Sequence, residues 1–338
     1  MENIPVPVTI YDVAKQANVG VGTVSRVLNQ STRVRAETRQ RVLDVIETLD
    51  FHPSPLAQRL SRRKTLSIGV IAVYFTRPSV VERLRGIEAV LAASPYDLIV
   101  YNVETPTRRD DVLRATAGRV DGLLVISLTP DNDDIARWQS TQTPVVLIDT
   151  EHPAVPRIVI DNVYGGYLAT NHLLELGHRQ IGFVGDPLHM AFNFTSSRDR
   201  LYGMERALAD YGLSLTPAYV KNGEHNQETA KHLAWQLLKA PTPPTAIFAA
   251  SDTQALGVMQ AARELGIRIP EDLSIIGFDD IEVAEYINLT TIRQPLFASG
   301  RNGIQMLLQT LETIPGEPPR EELAVDLIIR HTTAPPVR

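Results

Sequence analysis

A short segment near the N-terminus carries outward-pointing side chains that can form hydrogen bonds. These side chains are Thr23, Ser25, Arg26 and Asn29. An arginine can form two parallel hydrogen bonds with O6 and N7 of guanine, worth roughly 1–3 kcal/mol of discrimination between bases. Hydroxyl and amide groups are typical partners of phosphate oxygens. The group therefore predicts contact with a nucleic acid.

Two short helices and a tight turn must hold these side chains. Apolar residues recur at i, i+3, i+4 and i+7 in the first helix, as Ile10, Val13, Ala14 and Ala17. Asn18-Val19-Gly20 interrupts this pattern, and the second helix has an apolar face of Val24, Val27 and Leu28. The arrangement predicts a helix-turn-helix whose second helix can enter a DNA major groove. A third helix, from about Ala36 to Leu49, would complete the small core.

A second set of functional side chains follows short apolar runs in the rest of the chain. Those runs lie at 67–73, 98–101, 122–126, 145–148, 157–160, 180–184, 246–249 and 273–276. Nearly continuous apolar strands alternating with helices are typical of parallel sheets covered on both faces, and about ten of them favour two doubly wound halves. Ligands of such sheets bind beyond the carboxyl ends of the strands. The residues expected there are Tyr74, Phe75, Asp149, Ser196, Asp252, Asp279 and Gln294.

The adjacent carboxylates Asp279 and Asp280 raise the question of catalysis. Adjacent residues after a strand point in different directions, and no nucleophile, metal cluster or phosphate-binding loop accompanies them. Asp252 precedes a helical segment and is expected to cap it. The sequence therefore predicts a protein that is not an enzyme and that needs no metal or cofactor.

The charge distribution is asymmetric along the chain. Residues 1–65 have a net charge of +4, whereas the remainder has a net charge of −10. A basic module on an acidic body can bind phosphates locally. There is no cysteine, no apolar run of eighteen residues and no signal-like N-terminus, and this combination favours a cytoplasmic protein.

The text Tyr-Asp-Val-Ala followed by Thr-Val-Ser-Arg-Val-Leu-Asn29 resembles the DNA-binding headpiece of the LacI/GalR family of transcription regulators. Leu176–Val184, Ser251–Gly257, Ile276–Asp280 and Leu289–Pro295 are similar to family phrases of the body. The resemblance implies a helix-turn-helix headpiece at 1–52, a hinge helix at 53–65 and a periplasmic-binding-protein-like α/β body at 66–334. The body would consist of an N-subdomain (66–163 and 294–321) and a C-subdomain (164–293 and 322–334), with three crossings around a ligand cleft. Val163–Gly166 is the expected first crossing.

The resemblance also assigns roles to residues of the headpiece and hinge. Major-groove contacts fall on Val21, Gly22 and Arg26. Phosphate contacts fall on Thr9, Tyr11, Thr23, Ser25, Asn29, Arg33 and Thr38. Minor-groove contacts fall on the hinge residues Ala57, Arg59 and Leu60. Gly20 and Arg35 stand where the family usually has serine at a helix start, and Arg35 cannot cap because it accepts no hydrogen bond.

In the cleft, the resemblance matches Arg200 to an arginine that binds ligand hydroxyls or a carboxylate, and Asp279 to its acidic counterpart. His225 stands where relatives often have an aromatic residue that stacks on the ligand, and Phe192 is a candidate to compensate. The full set of expected effector contacts is Tyr74, Phe75, Asp149, Phe192, Ser196, Arg200, His225, Asp279 and Gln294.

These features predict a homodimeric repressor that binds a pseudo-palindromic DNA operator and responds to a small polar effector. A sugar is the favoured effector. A purine- or nucleoside-responsive corepressor-type regulator is the alternative, and a solute-binding protein is a further one that the headpiece and the N-terminus disfavour.

Overall fold

The computed structural model describes residues 8–29, 31–51, 65–116, 118–187, 192, 195–313 and 316–337. The chain forms two compact units, Met1–Leu66 and Ser67–Arg338. Within the described ranges, no helix is both long enough and apolar enough to cross a membrane.

The described residues of the first unit form three helices: α1 (Ile10–Gln16), α2 (Val21–Leu28) and α3 (Ala36–Thr48). Their apolar faces meet in a small core of Val13, Ala14, Ala17, Val24, Val27, Val42 and Phe51. The predicted periodicity of all three helices is therefore confirmed, and α3 ends one residue before the expected position.

The second unit begins with a sheet of six parallel strands in the order β11-β5-β4-β3-β1-β2. The strands are β1 (Ser67–Val73), β2 (Asp97–Val103), β3 (Gly122–Ile126), β4 (Val145–Ile148), β5 (Arg157–Ile160) and β11 (Arg320–Leu323). The helices of this half are α4 (Pro78–Leu91), α5 (Pro106–Thr116), α6 (Asn132–Ser140) and α12 (Leu296–Glu312). Strands β1, β3 and β4 are buried along their whole length because helices cover both faces.

A second six-stranded sheet has the order β12-β10-β9-β8-β6-β7, and only β12 runs antiparallel to its neighbour. The strands are β6 (Ile181–Gly185), β7 (Val220–Asn222), β8 (Ala246–Ala249), β9 (Ser274–Asp279), β10 (Thr290–Arg293) and β12 (Asp326–Ile328). The helices are α7 (Asn162–Glu175), α8 (Ser196–Asp210), α9 (Gln227–Leu238), α10 (Asp252–Glu264) and α11 (Glu282–Tyr286), with a 3₁₀ turn at Pro217–Tyr219. The two doubly wound halves predicted from the sequence are confirmed.

Two of the expected crossings between the halves need correction. The first lies at Asp161, before the expected Val163–Gly166, because β5 ends at Ile160 and Asp161 already caps α7 by accepting the Tyr164 N–H at 2.8 Å. The last lies at 324–325, not at 321–322, because Glu322 and Leu323 still pair with β5. The second crossing in chain order follows β10 at Gln294, as expected.

Helices α7 and α8 approach each other through two glycines. A Cβ on Gly166 would lie 2.1 Å from the carbonyl oxygen of Arg200, and a Cβ on Gly203 would lie 2.0 Å from the carbonyl oxygen of Val163. Real Cβ atoms do not come so close to backbone oxygens, so only glycine permits this spacing. The contact fixes the first turn of α8, which carries Arg200.

Candidate DNA interface and ligand cleft

The outward face of α2 carries the predicted base-reading residues. Gly22 and Arg26 are exposed and Val21 is half-buried, while Val24 and Val27 face the core. A Cβ on Gly22 would meet no atom within 4 Å. Arg26 is therefore the side chain on this face that offers directional hydrogen bonds to base edges.

The predicted phosphate-binding residues are exposed or half-buried around the first unit, and Tyr11 is 72% exposed. Thr9 departs from the expectation because Asp12 already accepts both its backbone N–H, at 2.9 Å, and its hydroxyl, at 2.6 Å. The Thr9 hydroxyl holds the pKa of Asp12 below its ordinary value. Thr9 could donate to a phosphate only by releasing Asp12.

The starts of α2 and α3 lack side-chain caps, as the sequence predicts. Gly20 and Arg35 occupy the N-cap positions, and neither side chain accepts a backbone N–H. Arg35 is exposed. The uncapped N–H groups and this cation together favour an anion at the start of α3. The expected hinge contacts, Ala57, Arg59 and Leu60, lie outside the described residues.

Asp280 (φ 57°), directly after β9, has a left-handed backbone conformation, as do four other non-glycine residues at the carboxyl ends of strands. They are Tyr74 (φ 51°), Ser127 (φ 54°), Asp149 (φ 61°) and Asp279 (φ 119°). Such conformations cost of order 1–3 kcal/mol each and cluster at binding sites. Here they follow β1, β3 and β4 or end β9, and three of the four side chains line one cleft between the two sheets.

Arg83 lies on α4 behind the cleft lining and contacts two of the lining residues, Asp149 and Gln294. Its side chain is 2% exposed, its Nη2 lies 3.2 Å from Asp149 Oδ2, and Nη2 also donates to Gln294 Oε1 at 2.9 Å. Asp149 accepts a further hydrogen bond from the Ser127 hydroxyl at 2.8 Å. Gln294, at the crossing after β10, donates in turn to Asp279 at 2.5 Å. A continuous polar chain therefore connects the two halves.

Arg200 lies opposite on α8 and is 5% exposed. Its Nη1 is 3.7 Å from Asp279 Oδ1, and its Nε donates to Asn162 at 2.9 Å. Nη1 also donates to the carbonyl oxygen of Ala250, and the guanidinium lies 3.6 Å above the ring of Phe278. The predicted proximity of Arg200 and Asp279 is thus present in the structure.

A buried carboxylate that the sequence reasoning did not single out, Asp186, follows β6 directly. It accepts hydrogen bonds from His225 Nδ1 at 2.8 Å and from Gln254 at 3.0 Å. His225 Nε2 lies 3.4 Å from Ser251 Oγ, so serine, histidine and aspartate stand in line. Ser251 is 1% exposed, and its hydroxyl caps α10 and donates to Gln254. The alignment therefore provides no accessible nucleophile.

Ser251, not Asp252, is the N-cap of α10, which corrects the sequence expectation. The Asp252 carboxylate is fully buried and accepts the Ile281 N–H at 2.9 Å and the Thr291 hydroxyl at 2.6 Å. Burial, together with the nearby Asp279, raises the pKa of Asp252 well above its ordinary value.

The pKa values of Asp279 and Asp186 are shifted in opposite directions because the two carboxylates have different neighbours. Burial also raises the pKa of Asp279, although Arg200 and Gln294 oppose the change. For Asp186, burial is outweighed by its partner His225 and by two nearby arginines, and its pKa lies below the ordinary value. Among Asp186, Asp252 and Asp279, Asp186 is therefore the carboxylate that stays ionised most readily.

The cleft brings together five of the expected effector residues: Asp149, Arg200, His225, Asp279 and Gln294. Ser196 lies on an adjoining cavity of about 480 Å³ that shares Asp149, and it is Ser197 that faces the inner cleft. Phe75 is 38% exposed and lies outside the cleft lining.

Phe192 is 3% exposed because it packs into the core of the first half. Its ring meets Tyr74 edge to face at 6.3 Å between centroids, although its chain segment connects β6 to α8 in the second half. The hypothesis that Phe192 stacks on a ligand is therefore wrong for this conformation, since the Phe192 ring packs against Tyr74 inside the core of the first half.

The inner cleft is nearly closed. Its enclosed space is about 30 Å³, whereas pockets for small molecules usually measure roughly 300–1,000 Å³. A ligand must therefore move the polar chain from Arg83 to Asp279 in order to enter.

Sequence reasoning missed two charged residues of the cleft lining, Arg77 and Asp186, and one directly behind the lining, Arg83. Arg83 did leave a signal, because it shares a helical stripe with Val80, Ile87 and Leu91 at positions where buried residues are expected. Asp186 also left one, since it directly follows a buried strand.

Comparison with known proteins agrees with both halves of this description. The model of bacterial regulatory proteins of the lacI family matches residues 9–54, and that of the periplasmic binding protein-like domain matches residues 170–333. The HTH-type transcriptional repressor PurR of Aliivibrio salmonicida is 34% identical over 90% of this chain and 92% of its own length. The chain belongs to the LacI family.

Solved structures of LacI-family proteins match nearly the whole chain. The lac repressor dimer bound to operator and the anti-inducer ONPF aligns over 97% of this chain and 100% of its own, with 30% identity and a TM-score of 0.82. The transcriptional regulator CelR in complex with cellobiose aligns over 96% and 99%, with 29% identity and a TM-score of 0.71. This LacI-family chain thus has the family's headpiece and body in the family's order.

Proposed function

We propose that the protein is a homodimeric transcriptional repressor whose affinity for operator DNA is controlled by a sugar-like ligand in the body cleft. The observation that carries the proposal is the coexistence in one chain of an exposed recognition helix and a cleft lined by paired charged groups. Charged groups that already form hydrogen bonds with each other can exchange them for ligand hydroxyls. The site of action is the cytoplasm, beside the DNA.

The control of DNA binding rests on the cleft conformation. Gln294 connects the two halves because it accepts a hydrogen bond from Arg83 and donates one to Asp279. A ligand that breaks or replaces these hydrogen bonds shifts the balance between body conformations. The family relatives support this assignment, since the lac repressor dimer was solved bound to both operator and the anti-inducer ONPF. Of the alternatives from the sequence, a solute-binding protein is disfavoured because it would not need the headpiece.

A purine-responsive repressor is the second candidate, and the name of the PurR relative favours it. Purine bases are usually held by stacking on aromatic rings. Among the described residues that line the inner cleft there is no phenylalanine, tyrosine or tryptophan, and His225 is the one ring present. The lining therefore supports a hydroxylated, non-planar ligand over a purine.

Selection from random duplex oligonucleotides at physiological salt tests DNA binding directly. We expect the full-length protein to enrich a pseudo-palindromic sequence. Absence of any enriched sequence would refute the repressor assignment. Repeating the binding measurement with sugars and with purines then identifies the ligand class, because weaker binding marks an inducer and stronger binding marks a corepressor.

Replacing Arg26 with alanine is expected to relax operator preference. The loss of one guanine contact should reduce discrimination at that base pair by about 1–3 kcal/mol, or roughly 5- to 150-fold. Quantitative binding to operators with single-base changes measures the effect. Arg41→Ala is the matched control, because Arg41 is an exposed cation on α3 and its loss should weaken all sequences equally. An unchanged preference in R26A would contradict the role of Arg26.

A further inference from the structure

Arg77 differs from Arg83 and Arg200 because it has no carboxylate partner within the described residues. Arg83 and Arg200 each lie within 4 Å of a carboxylate and donate hydrogen bonds to neighbouring oxygens. Arg77 lines the same cleft, half-buried, with its guanidinium 4.3 Å above the ring of Tyr74. Within the described part of the chain, its guanidinium forms neither an ion pair nor a side-chain hydrogen bond.

The position of Arg77 favours an anion for a second reason. It is the residue before Pro78, at the N-cap of the fourteen-residue helix α4, and Ser79 in the first turn also lines the cleft. The first N–H groups of a helix have no acceptor within the helix and favour negative charge. Burial lowers the pKa of Arg77, while Asp186, Tyr74 and Asp279 act in the opposite direction. A half-buried guanidinium in this place gains most from an oxyanion.

Two further polar atoms, one in the cleft lining and one directly behind it, are buried without a hydrogen-bond partner. Asp149 Oδ1 and Arg83 Nε form no hydrogen bond, although their side chains are only 6% and 2% exposed. A buried polar atom without a partner costs roughly 1–3 kcal/mol, and a ligand group can remove that cost. An oxygen acceptor and an N–H donor on neighbouring side chains suit the hydroxyl groups of a sugar.

From this arrangement we infer that the ligand is an anionic sugar derivative whose carboxylate or phosphate is bound by Arg77 and whose hydroxyls contact Asp149. The inference rests on the proposed function, because it deepens the identity of the cleft ligand. It assigns Arg77 as the residue that distinguishes anionic from neutral sugars. A carboxylate and a phosphate both present an oxyanion to Arg77. The ligand panel described next distinguishes a sugar acid from a sugar phosphate.

Thermal unfolding and calorimetric titration of the full-length protein test the inference. The probes are matched sets of a neutral hexose or pentose, its aldonic and uronic acids, and its phosphate ester. We expect at least one acid or phosphate to raise the melting temperature, and the neutral member of its set to have a smaller effect. Arg77→Met should lower the affinity for that anion by about 10- to 150-fold, with Arg77→Lys between the two.

Arg108→Met is the matched control, because Arg108 is an exposed arginine on α5 outside the cleft lining. It should leave ligand affinity unchanged. The inference is overturned if R77M binds the anion as well as wild type does, if a neutral sugar or a purine binds more tightly, or if no anion of the panel binds. Each of these results leaves operator selection intact, so a failure here is distinguishable from a failure of the repressor assignment.

Discussion

Replacing Arg200 with methionine is expected to abolish the response of DNA binding to the ligand. The substitution removes the guanidinium that faces Asp279 and leaves the Ala250 carbonyl oxygen without its donor in a buried site. Removing one member of a buried ion pair costs about 3–5 kcal/mol, and methionine keeps the apolar bulk above Phe278. Ligand affinity should fall at least about 10-fold, since a hydrogen bond to a charged group contributes roughly 1.5–3 kcal/mol.

Arg198→Met provides the matched control for this prediction. Arg198 lies two residues earlier on α8, with its side chain 58% exposed and 3.6 Å from Asp199. An exposed pair of this kind contributes little, so both ligand affinity and the free energy of unfolding should stay near wild type. Calorimetric titration and chemical unfolding measure the two quantities. Equal ligand affinities of R200M and R198M would contradict the role of Arg200.

Substitution of Gly166 by alanine is expected to destabilise the body strongly although it adds only one methyl group. The new Cβ would lie 2.1 Å from the carbonyl oxygen of Arg200, so α7 and α8 must separate. Overpacking usually costs about 1–3 kcal/mol, and a clash with the backbone of Arg200 places this variant at or above that range. Because the displaced residue is Arg200, ligand affinity should fall together with stability. Denaturant unfolding and ligand titration test both effects.

Gly22→Ala separates the steric effect from helix propensity. Gly22 is also helical, but a Cβ there would meet open space, so the change should stabilise its helix by roughly 0.5–1 kcal/mol. If G166A were as stable as wild type, the close approach of α7 and α8 would not limit the position of Arg200.

Local patterns of apolar residues predicted most helices and strands, because burial of one helix face or of a whole strand leaves a regular apolar pattern in the sequence. The apolar stripes of α1 to α3 and the continuous strands β1, β3, β4 and β6 are examples. The family resemblance and the position of Asp279 after a strand predicted that Arg200 and Asp279 both lie in the cleft as ligand contacts, whereas their pairing with each other was not predicted. The second half also contains three short strands, β7, β10 and β12, that the apolar runs did not mark, since their sequences Val-Lys-Asn, Thr-Thr-Ile-Arg and Asp-Leu-Ile are not continuously apolar.

The pairing of charges inside the cleft was beyond sequence reasoning. Arg83 and Gln294 are 211 positions apart, and their contact depends on the packing of α4 against α12. The partner of His225 could not be assigned either, because the segments that carry His225 and Asp186 meet only when β6 pairs with β7. Phe192 was misplaced for the same reason: its sequence neighbourhood belongs to one half and its packing to the other.

The burial of Phe192 in the core of the first half opposes opening of the cleft. Any opening that withdraws this ring from the core of the first half exposes a side chain whose burial is worth roughly 1.5–3 kcal/mol, which is about a 10- to 150-fold bias toward the closed form. If the ligand enters through the open form, its measured affinity is reduced by the same factor. A single phenylalanine on a connecting loop would then adjust the ligand concentration at which the regulator responds, without contacting either ligand or DNA.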